Sequence, residues 1–241
     1  MTFRECLVKL SELQGRILWQ KKRQPATALP LFEEAEKLLS EIFLEAPDNR
    51  TWDMYQASLW CNLGLIHVEL NRAESSIPWF NRSIDLFSQI EATTANNENS
   101  RRALSRAYER RGDANASLRN YSASLADRER AYELQSNPTQ SLVINLCLSH
   151  ARCGQTDLAV QRVNQIVDSD LSATQRRYLA RVFAILAAQE PNDIQRNNLL
   201  DSTKRQLGLS CTDDPAAVSR LEEDRDFKDF WLQVNPLLST K

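Results

Sequence analysis

The feature of this chain that most constrains its fold is a spaced set of small and aromatic residues between positions 58 and 80. The first part carries Trp, Leu, Gly and His at intervals of three and four residues, which places them on one face of an α-helix. Asn71 then interrupts the pattern, and a second stretch carries Ser and Phe four residues apart. The residues of the pattern are Trp60, Leu63, Gly64, His67, Ser76 and Phe80.

Small side chains at facing positions allow two helices to approach closely. Gly64 provides such a position on the first helix, and Ser76 provides one on the second. The aromatic residues then fill the space around the contact. The stretch therefore predicts a helical hairpin, and only five glycines in 241 residues agree with an all-helical chain.

The same pattern recurs along the chain. In the third copy we expect Leu104, Ser105 and Tyr108 to share a face before a break at Gly112-Asp113, and in the fourth the break falls at Gly154-Gln155. From one copy to the next, the position of the small residue in the second helix advances by 48, 41 and 42 residues. Such periods indicate stacked helical hairpins, none of which buries its apolar face alone. These small residues are Ala28, Ser76, Ser117 and Ala159, and Ser105 and Cys147 take the position of Gly64 in the first helices.

The second copy resembles the tetratricopeptide repeat (TPR) signature, with His67 in the usual tyrosine position. The period exceeds the usual length of roughly 34 residues, which resembles kinesin-light-chain-like arrays with longer helices. The resemblance implies an all-α protein, a right-handed α-solenoid of TPR-like helical hairpins. We expect four to five hairpins over residues 1–206 and a C-terminal capping tail over 207–241, in which Phe227, Phe230 and Trp231 fold back on the last hairpin.

Composition and charge argue against several functions. The net charge is −2, so no overall field attracts nucleic acid or an anionic membrane, and no apolar run is long enough to span a bilayer. Five scattered cysteines and the absence of a signal-like N-terminus favour reduced thiols in the cytoplasm. The motif Cys147-x2-His150-x2-Cys153 has poor spacing for zinc on one helix. We expect no catalytic site, metal or cofactor.

The TPR resemblance implies that the first helix of each hairpin lines a concave groove that binds a protein or peptide partner. Asparagines there can hydrogen-bond a peptide backbone, and arginines can bind carboxylates or phosphates in a bidentate manner. Ordinary solvent-exposed helix faces are the alternative interpretation. The candidate groove residues are Asn62, Leu65, Glu69, Arg102, Arg106, Arg110, Asn145, Leu148 and Arg152.

Roughly the last 70 residues carry a second resemblance, to the TPR region that follows the catalytic domain of planctomycete-type bacterial serine/threonine kinases. No Gly-rich loop, His-Arg-Asp or Asp-Phe-Gly motif is present. This resemblance implies, as an alternative function, a regulatory or substrate-recruiting region in bacterial signalling. A helical enzyme or a nucleic-acid binder is disfavoured, because no cluster of His, Cys or carboxylate residues stands out and the net charge is nearly neutral.

Overall fold

A computed structural model describes residues 2–46, 50–93, 98–166 and 171–213. Every regular element of these residues is helical, which confirms the all-α fold class. The tail aromatics Phe227, Phe230 and Trp231 lie outside the described residues. The helices are α1 Phe3–Arg16, α2 Pro25–Glu45, α3 Asp53–Glu69, α4 Ala73–Thr93, α5 Glu98–Ser117, α6 Tyr121–Glu133, α7 Gln140–Arg152, α8 Thr156–Val163, α9 Ala173–Gln189 and α10 Asp193–Asp213, with a π-helical turn Ile17–Lys21 and a 3₁₀ turn Arg50–Trp52.

The chain divides into two compact units, residues 1–136 and 137–241. In the first unit the hairpins α1–α2, α3–α4 and α5–α6 follow one another, and α2 packs on α3 as α4 packs on α5. One apolar cluster joins the first two hairpins around Phe32, Leu39 and Leu63. A second cluster joins the second and third hairpins around Phe87 and Leu104. Neighbouring hairpins thus share their cores, as a repeat array requires.

Two glycines explain how the first and second helices of a hairpin come so close. A Cβ atom added at Gly64 would lie 2.7 Å from the Phe80 ring, and one added at Gly15 would lie 2.7 Å from the Phe32 ring. Both phenylalanines are fully buried. The close approach of α3 and α4 predicted for this hairpin is present, because Gly64 lies against Phe80; Ser76 on α4 is also fully buried.

The structure corrects the register of the third hairpin. Helix α5 continues through Gly112 to Ser117, and Ser117 is exposed and not in a packing position. The small residue of the second helix is instead Ser124, which is 1% exposed. It is the fourth residue of α6, as Ser76 is of α4.

The corrected positions give a more regular repeat. The fourth residues of the four helices α2, α4, α6 and α8 advance by 48, 48 and 35 residues, instead of the expected 48, 41 and 42. The turn residues with positive φ advance by the same steps. The hairpin turn is therefore part of the repeat. The small residues are Ala28, Ser76, Ser124 and Ala159, and the turn residues are Arg23, Asn71, Arg119 and Gly154.

The first hairpin contains one extra residue between its two packing positions. Gly15 and Ala28 are 13 positions apart, whereas Gly64 and Ser76 are 12 apart. A π-helical turn over Ile17–Lys21 lies between Gly15 and Ala28. A π-helical turn accommodates one additional residue in an α-helix, so it keeps the contact of Gly15 with Phe32 in register.

The second unit consists of the hairpins α7–α8 and α9–α10, and α7 also packs on α9. A capping box of Ser172 and Gln175 starts α9. Thr139 caps α7 by accepting a hydrogen bond from the Leu142 amide, so the helix starts after the Asn137-Pro138 pair. Helix α10 runs to Asp213, across the boundary that we placed at residue 206.

We expect Gly64→Ala to lower the free energy of unfolding by about 1–3 kcal/mol, because the new methyl group would overlap the Phe80 ring. In a Phe80→Leu background the same change should lower the free energy of unfolding by a smaller amount. Gly208→Ala is the matched control, since nothing lies within 4 Å of its added Cβ, and it should stabilise α10 by about 0.5–1 kcal/mol. Urea denaturation followed by circular dichroism measures these differences; equal effects of both alanines would contradict this packing.

His67 takes the position of the TPR tyrosine and lies half-buried on α3. Burial lowers the pKa of its imidazole, although Glu33 acts in the opposite direction. The neutral form is therefore favoured in the folded state, and stability present above the unfolded-state pKa of about 6.5 should decline as the pH falls below it. His67→Phe should reduce this decline in urea midpoints measured between about pH 7.5 and 5.5. An unchanged pH profile would contradict the prediction.

Candidate protein-interaction surface

The first helices of the first unit lie next to one another. Helix α3 contacts α5 directly. At the other end, the Trp52 indole that precedes α3 donates a hydrogen bond of 3.2 Å to the Glu5 carboxylate on α1. The first helices α1, α3 and α5 therefore form one side of this unit, as the repeat pattern predicts.

Three exposed arginines follow one face of α5, and we call them the arginine row. They are spaced by four residues, so the row extends for about 12 Å along the helix. Helix α5 carries five arginines and three acidic residues, whereas the whole chain has a net charge of −2. The row is thus a local concentration of positive charge. Its members are Arg102, Arg106 and Arg110.

Only the two outer arginines of the row form ion pairs with described residues. Arg102 lies 3.3 Å from Glu98, and Arg110 lies 3.7 Å from Asp113. Asp113 also accepts a shorter contact of 2.9 Å from Arg128. Arg106 makes no ion pair with any residue that the structure describes, so its guanidinium faces solvent.

The acidic neighbour Glu109 is hydrogen-bonded within its own hairpin. Its carboxylate accepts a hydrogen bond of 3.2 Å from Gln135, which follows α6. Burial raises the pKa of Glu109, and the charge of Asp113 acts in the same direction. Arg110, Gln135 and Arg106 act on this pKa in the opposite direction. The carboxylate is thereby directed towards the second helix of its own hairpin.

Helix α3 carries Cys61, Asn62 and Leu65, all half-buried. Cys61 packs against the cluster shared with α5, and Leu65 packs against the cluster shared by the first two hairpins. Burial raises the pKa of the Cys61 thiol to about 11, although Arg110 and Arg106 act in the opposite direction. The thiol is therefore neutral near pH 7 and does not offset the positive charge of the row. Glu69, the last predicted residue of this helix, accepts a hydrogen bond of 2.7 Å from the Trp19 indole and so has a structural contact.

The other three predicted residues belong to the second unit, on α7. Leu148 is only 1% exposed and packs with Cys147, Val182 and Leu186. This burial corrects the expectation that Leu148 lines a surface. Asn145 and Arg152 are half-buried and both have contacts within the protein, so we leave α7 out of the candidate surface.

A buried ionic network beneath the arginine row was missed from the sequence. Arg111 binds the Asp127 carboxylate through Nε and Nη2, the latter at 2.6 Å, and Asn115 donates to the same carboxylate at 3.0 Å. The neighbouring Arg128 is 3% exposed and pairs with Asp113. Arg128 takes the position that Phe80 has in the second hairpin, since a Cβ at Gly112 would lie 3.3 Å from it. The sequence does contain a signal for this network: Arg128 stands four residues after Ser124, where the second hairpin has Phe80 four residues after Ser76.

Metal and thiol chemistry receive no support from the described residues. They contain no cluster of three or more potential metal-ligating His, Cys, Asp or Glu residues. The Nδ1 atom of His150 lies 2.7 Å from the Gln155 amide oxygen, and burial raises the pKa of Cys147 to about 12. Both side chains therefore have packing roles. None of the described helices combines the length and apolarity that crossing a bilayer requires.

An open cleft of about 540 Å³ lies between the start of α3 and the end of α4. The Arg50 guanidinium at its rim lies 3.4 Å from the Asp53 carboxylate. These two charges satisfy each other, so the cleft offers a ligand mainly apolar walls. Its lining residues are Arg50, Asp53, Met54, Gln89, Ile90, Ala92 and Thr93.

Comparisons with known proteins agree with the repeat architecture. The tetratricopeptide repeat family model matches residues 57–89, which span most of α3 and α4. No curated protein matches the chain. The chain therefore contains one segment that is recognisable as a tetratricopeptide repeat.

Solved structures extend the likeness to most of the chain at the level of fold. A Podosopora anserina kinesin light chain structure with nearly identical TPR-like repeats has a TM-score of 0.57 and 14% identity, covering 87% of this chain and 99% of that one. BtubC (BKLC) from P. vanneervenii has a TM-score of 0.51 and 13% identity, covering 90% of this chain and 92% of that one. A TPR-like helical repeat with long helices is thus confirmed. The resemblance to planctomycete-type kinases stays a prediction.

We expect Asp127→Ala to lower the free energy of unfolding by about 3–5 kcal/mol, because it leaves Arg111 without its buried partner. Glu133→Ala on the same helix is the matched control. It removes the exposed pair with Arg130 and should cost less than about 1 kcal/mol. Urea denaturation followed by tryptophan fluorescence measures both; similar small costs would show that the network contributes little.

Proposed function

We propose that the chain is a non-catalytic protein-interaction module and that the side formed by α1, α3 and α5 binds an acidic segment of a partner protein. TPR-like repeats generally mediate protein–protein interaction, and the fold supports this general role. The arginine row supports the choice of an acidic partner. Arg106 carries the proposal, because it is exposed and forms no ion pair with a described residue.

The spacing of the row favours an extended segment. Successive arginines are about 6 Å apart along α5, and alternate side chains of an extended chain are separated by about 6.6–6.8 Å. Carboxylates at every second position of such a segment therefore match the three guanidinium groups approximately. Guanidinium groups bind carboxylates through two parallel hydrogen bonds, which favours carboxylates over neutral side chains.

The adjacent surface of α3 supplies the remaining contacts. Asn62 can donate to and accept from a peptide backbone, and Leu65 offers an apolar contact one turn further along. Helix α3 packs on α5 through the cluster around Phe87 and Leu104, so the two helices present their outer side chains together. The proposed mechanism is presentation of a preformed surface, without a chemical step.

Arg106→Glu should weaken binding of a fluorescein-labelled peptide with the core Glu-Ala-Glu-Ala-Glu by about tenfold or more, measured by fluorescence anisotropy. The reason is that a repulsive charge replaces the unpaired cation at the centre of the row. Arg82→Glu is the matched control, because Arg82 is exposed on the second helix α4 and stacks on Trp79.

Binding to the first variant should also depend less on salt concentration than binding to the wild-type protein and the Arg82 variant. A peptide with Gln in place of Glu tests whether charge is recognised. Equal affinity of the wild-type protein and Arg106→Glu for the acidic peptide would exclude the arginine row as the binding surface.

The alternative is that the chain is the regulatory or substrate-recruiting region of a bacterial serine/threonine kinase. The helices α9 and α10 form a hairpin where this resemblance begins, and the rest of the resemblance lies outside the described residues. Reading the gene upstream of the codon for Met1 tests the alternative, since kinase motifs there would support it and an in-frame stop codon would exclude it.

A further inference from the structure

Helix α1 carries an exposed apolar stripe on the face opposite its core contacts. The described residues contain nine large hydrophobic side chains that are exposed, and four of them lie on this stripe. Phe3 is 80% exposed and Leu10 is 50% exposed, whereas Val8 and Gly15 on the other face are buried. With the exposed Cys6, the stripe consists of Phe3, Cys6, Leu10, Leu13 and Ile17.

The stripe has the spacing of a coiled-coil seam. Its members follow one another at intervals of three, four, three and four residues, which is the a and d pattern of two heptads. At 100° per residue they cover about 80° of the helix circumference. A seam of this kind is complementary to a second copy of itself.

We propose that two copies of this chain associate through the α1 stripe, with the two α1 helices parallel. The flanking residues favour this orientation. The basic residues Lys9 and Arg16 hold g positions. In a parallel pair Lys9 faces Gln14, at an e position of the other copy, and the e position that would face Arg16 falls in the π-helical turn, where the heptad spacing ends. In an antiparallel pair the two g flanks face each other, which brings the two Lys9 ammonium groups to the same side of the interface.

The parallel pair also places the two Cys6 side chains opposite each other. Facing residues at a central d position have the short separation that a disulfide requires. An antiparallel pair centred on Leu10 instead places Cys6 opposite the region of Leu13. A Cys6–Cys6 cross-link under mild oxidation therefore reports the orientation as well as the association.

The association should be weak and concentration-dependent, because the stripe is only two heptads long and the π-helical turn ends its spacing after Ile17. Sedimentation equilibrium of the full chain with a reducing agent, from about 1 to 200 µM, should show the mass rising from 27.6 kDa towards twice that value. Leu10→Glu should keep the chain monomeric over the same range. Leu158→Glu on α8, where Leu158 is 44% exposed, is the matched control and should leave the association unchanged.

In the second arm, oxidised glutathione should produce a covalent dimer on a non-reducing gel, and both Cys6→Ser and Leu10→Glu should abolish it. Unchanged circular dichroism of the variants shows that they fold. A wild-type chain that stays monomeric at the highest concentration, or a dimer that persists in Leu10→Glu, would overturn the proposal and assign the stripe to another occupant. A dimer without the Cys6 cross-link would overturn the parallel orientation.

Discussion

The first unit of this protein depends on the close approach of two helices within each hairpin. Gly15 and Gly64 make that approach possible, because the rings of Phe32 and Phe80 occupy the space that a Cβ atom would need. Both phenylalanines are fully buried, and Phe32 contributes to the core that the first two hairpins share. The absence of a Cβ atom at each glycine thus sets the distance between the two helices of its hairpin. The packing of the neighbouring hairpins depends on this distance.

The third hairpin keeps the glycine but replaces the aromatic ring with charge. Arg128 lies against Gly112, and Asp127 next to it binds Arg111 and Asn115. A buried pair of this kind adds little net stability compared with a ring, but its removal leaves an unpaired charge in the interior. The network joins α5 to α6 on the side of α5 that carries Gly112.

Asp113 connects the buried network with the exposed arginine row. One carboxylate oxygen lies 2.9 Å from Arg128, and the other lies 3.7 Å from Arg110. The inner contact is shorter and its arginine is almost fully buried, so it fixes the carboxylate. The exposed Arg110 is consequently only partly neutralised, and the row keeps its positive character.

The second hairpin could be predicted from the sequence residue by residue, because its glycine, serine and aromatic residues each follow the TPR signature. The third could not be placed correctly for two physical reasons. The turn residue with positive φ is Arg119, an unusual residue type for that conformation, whereas Gly112 suggested a turn and proved to be a packing contact inside α5. Arg128 in the phenylalanine position also removed the aromatic residue that would have identified the register. Leu148 was misplaced because α7 is buried on more than one face, which a pattern with a single apolar face does not reveal.

The comparison of α1 with α3 shows why an apolar outer face is informative. Helix α3 packs against α2, α4 and α5, so its apolar residues are covered by neighbours within the unit. The outer face of α1 has the same apolar character without such a cover among the described residues, although α1 is held in place by α2 and by the pairing of Arg4 with Glu41. Phe3 and three aliphatic side chains left in water contribute little burial free energy to folding and favour association. Burial in a complex explains a face of this composition. The polar outer face of α5 is explained instead by contact with water and with charged groups.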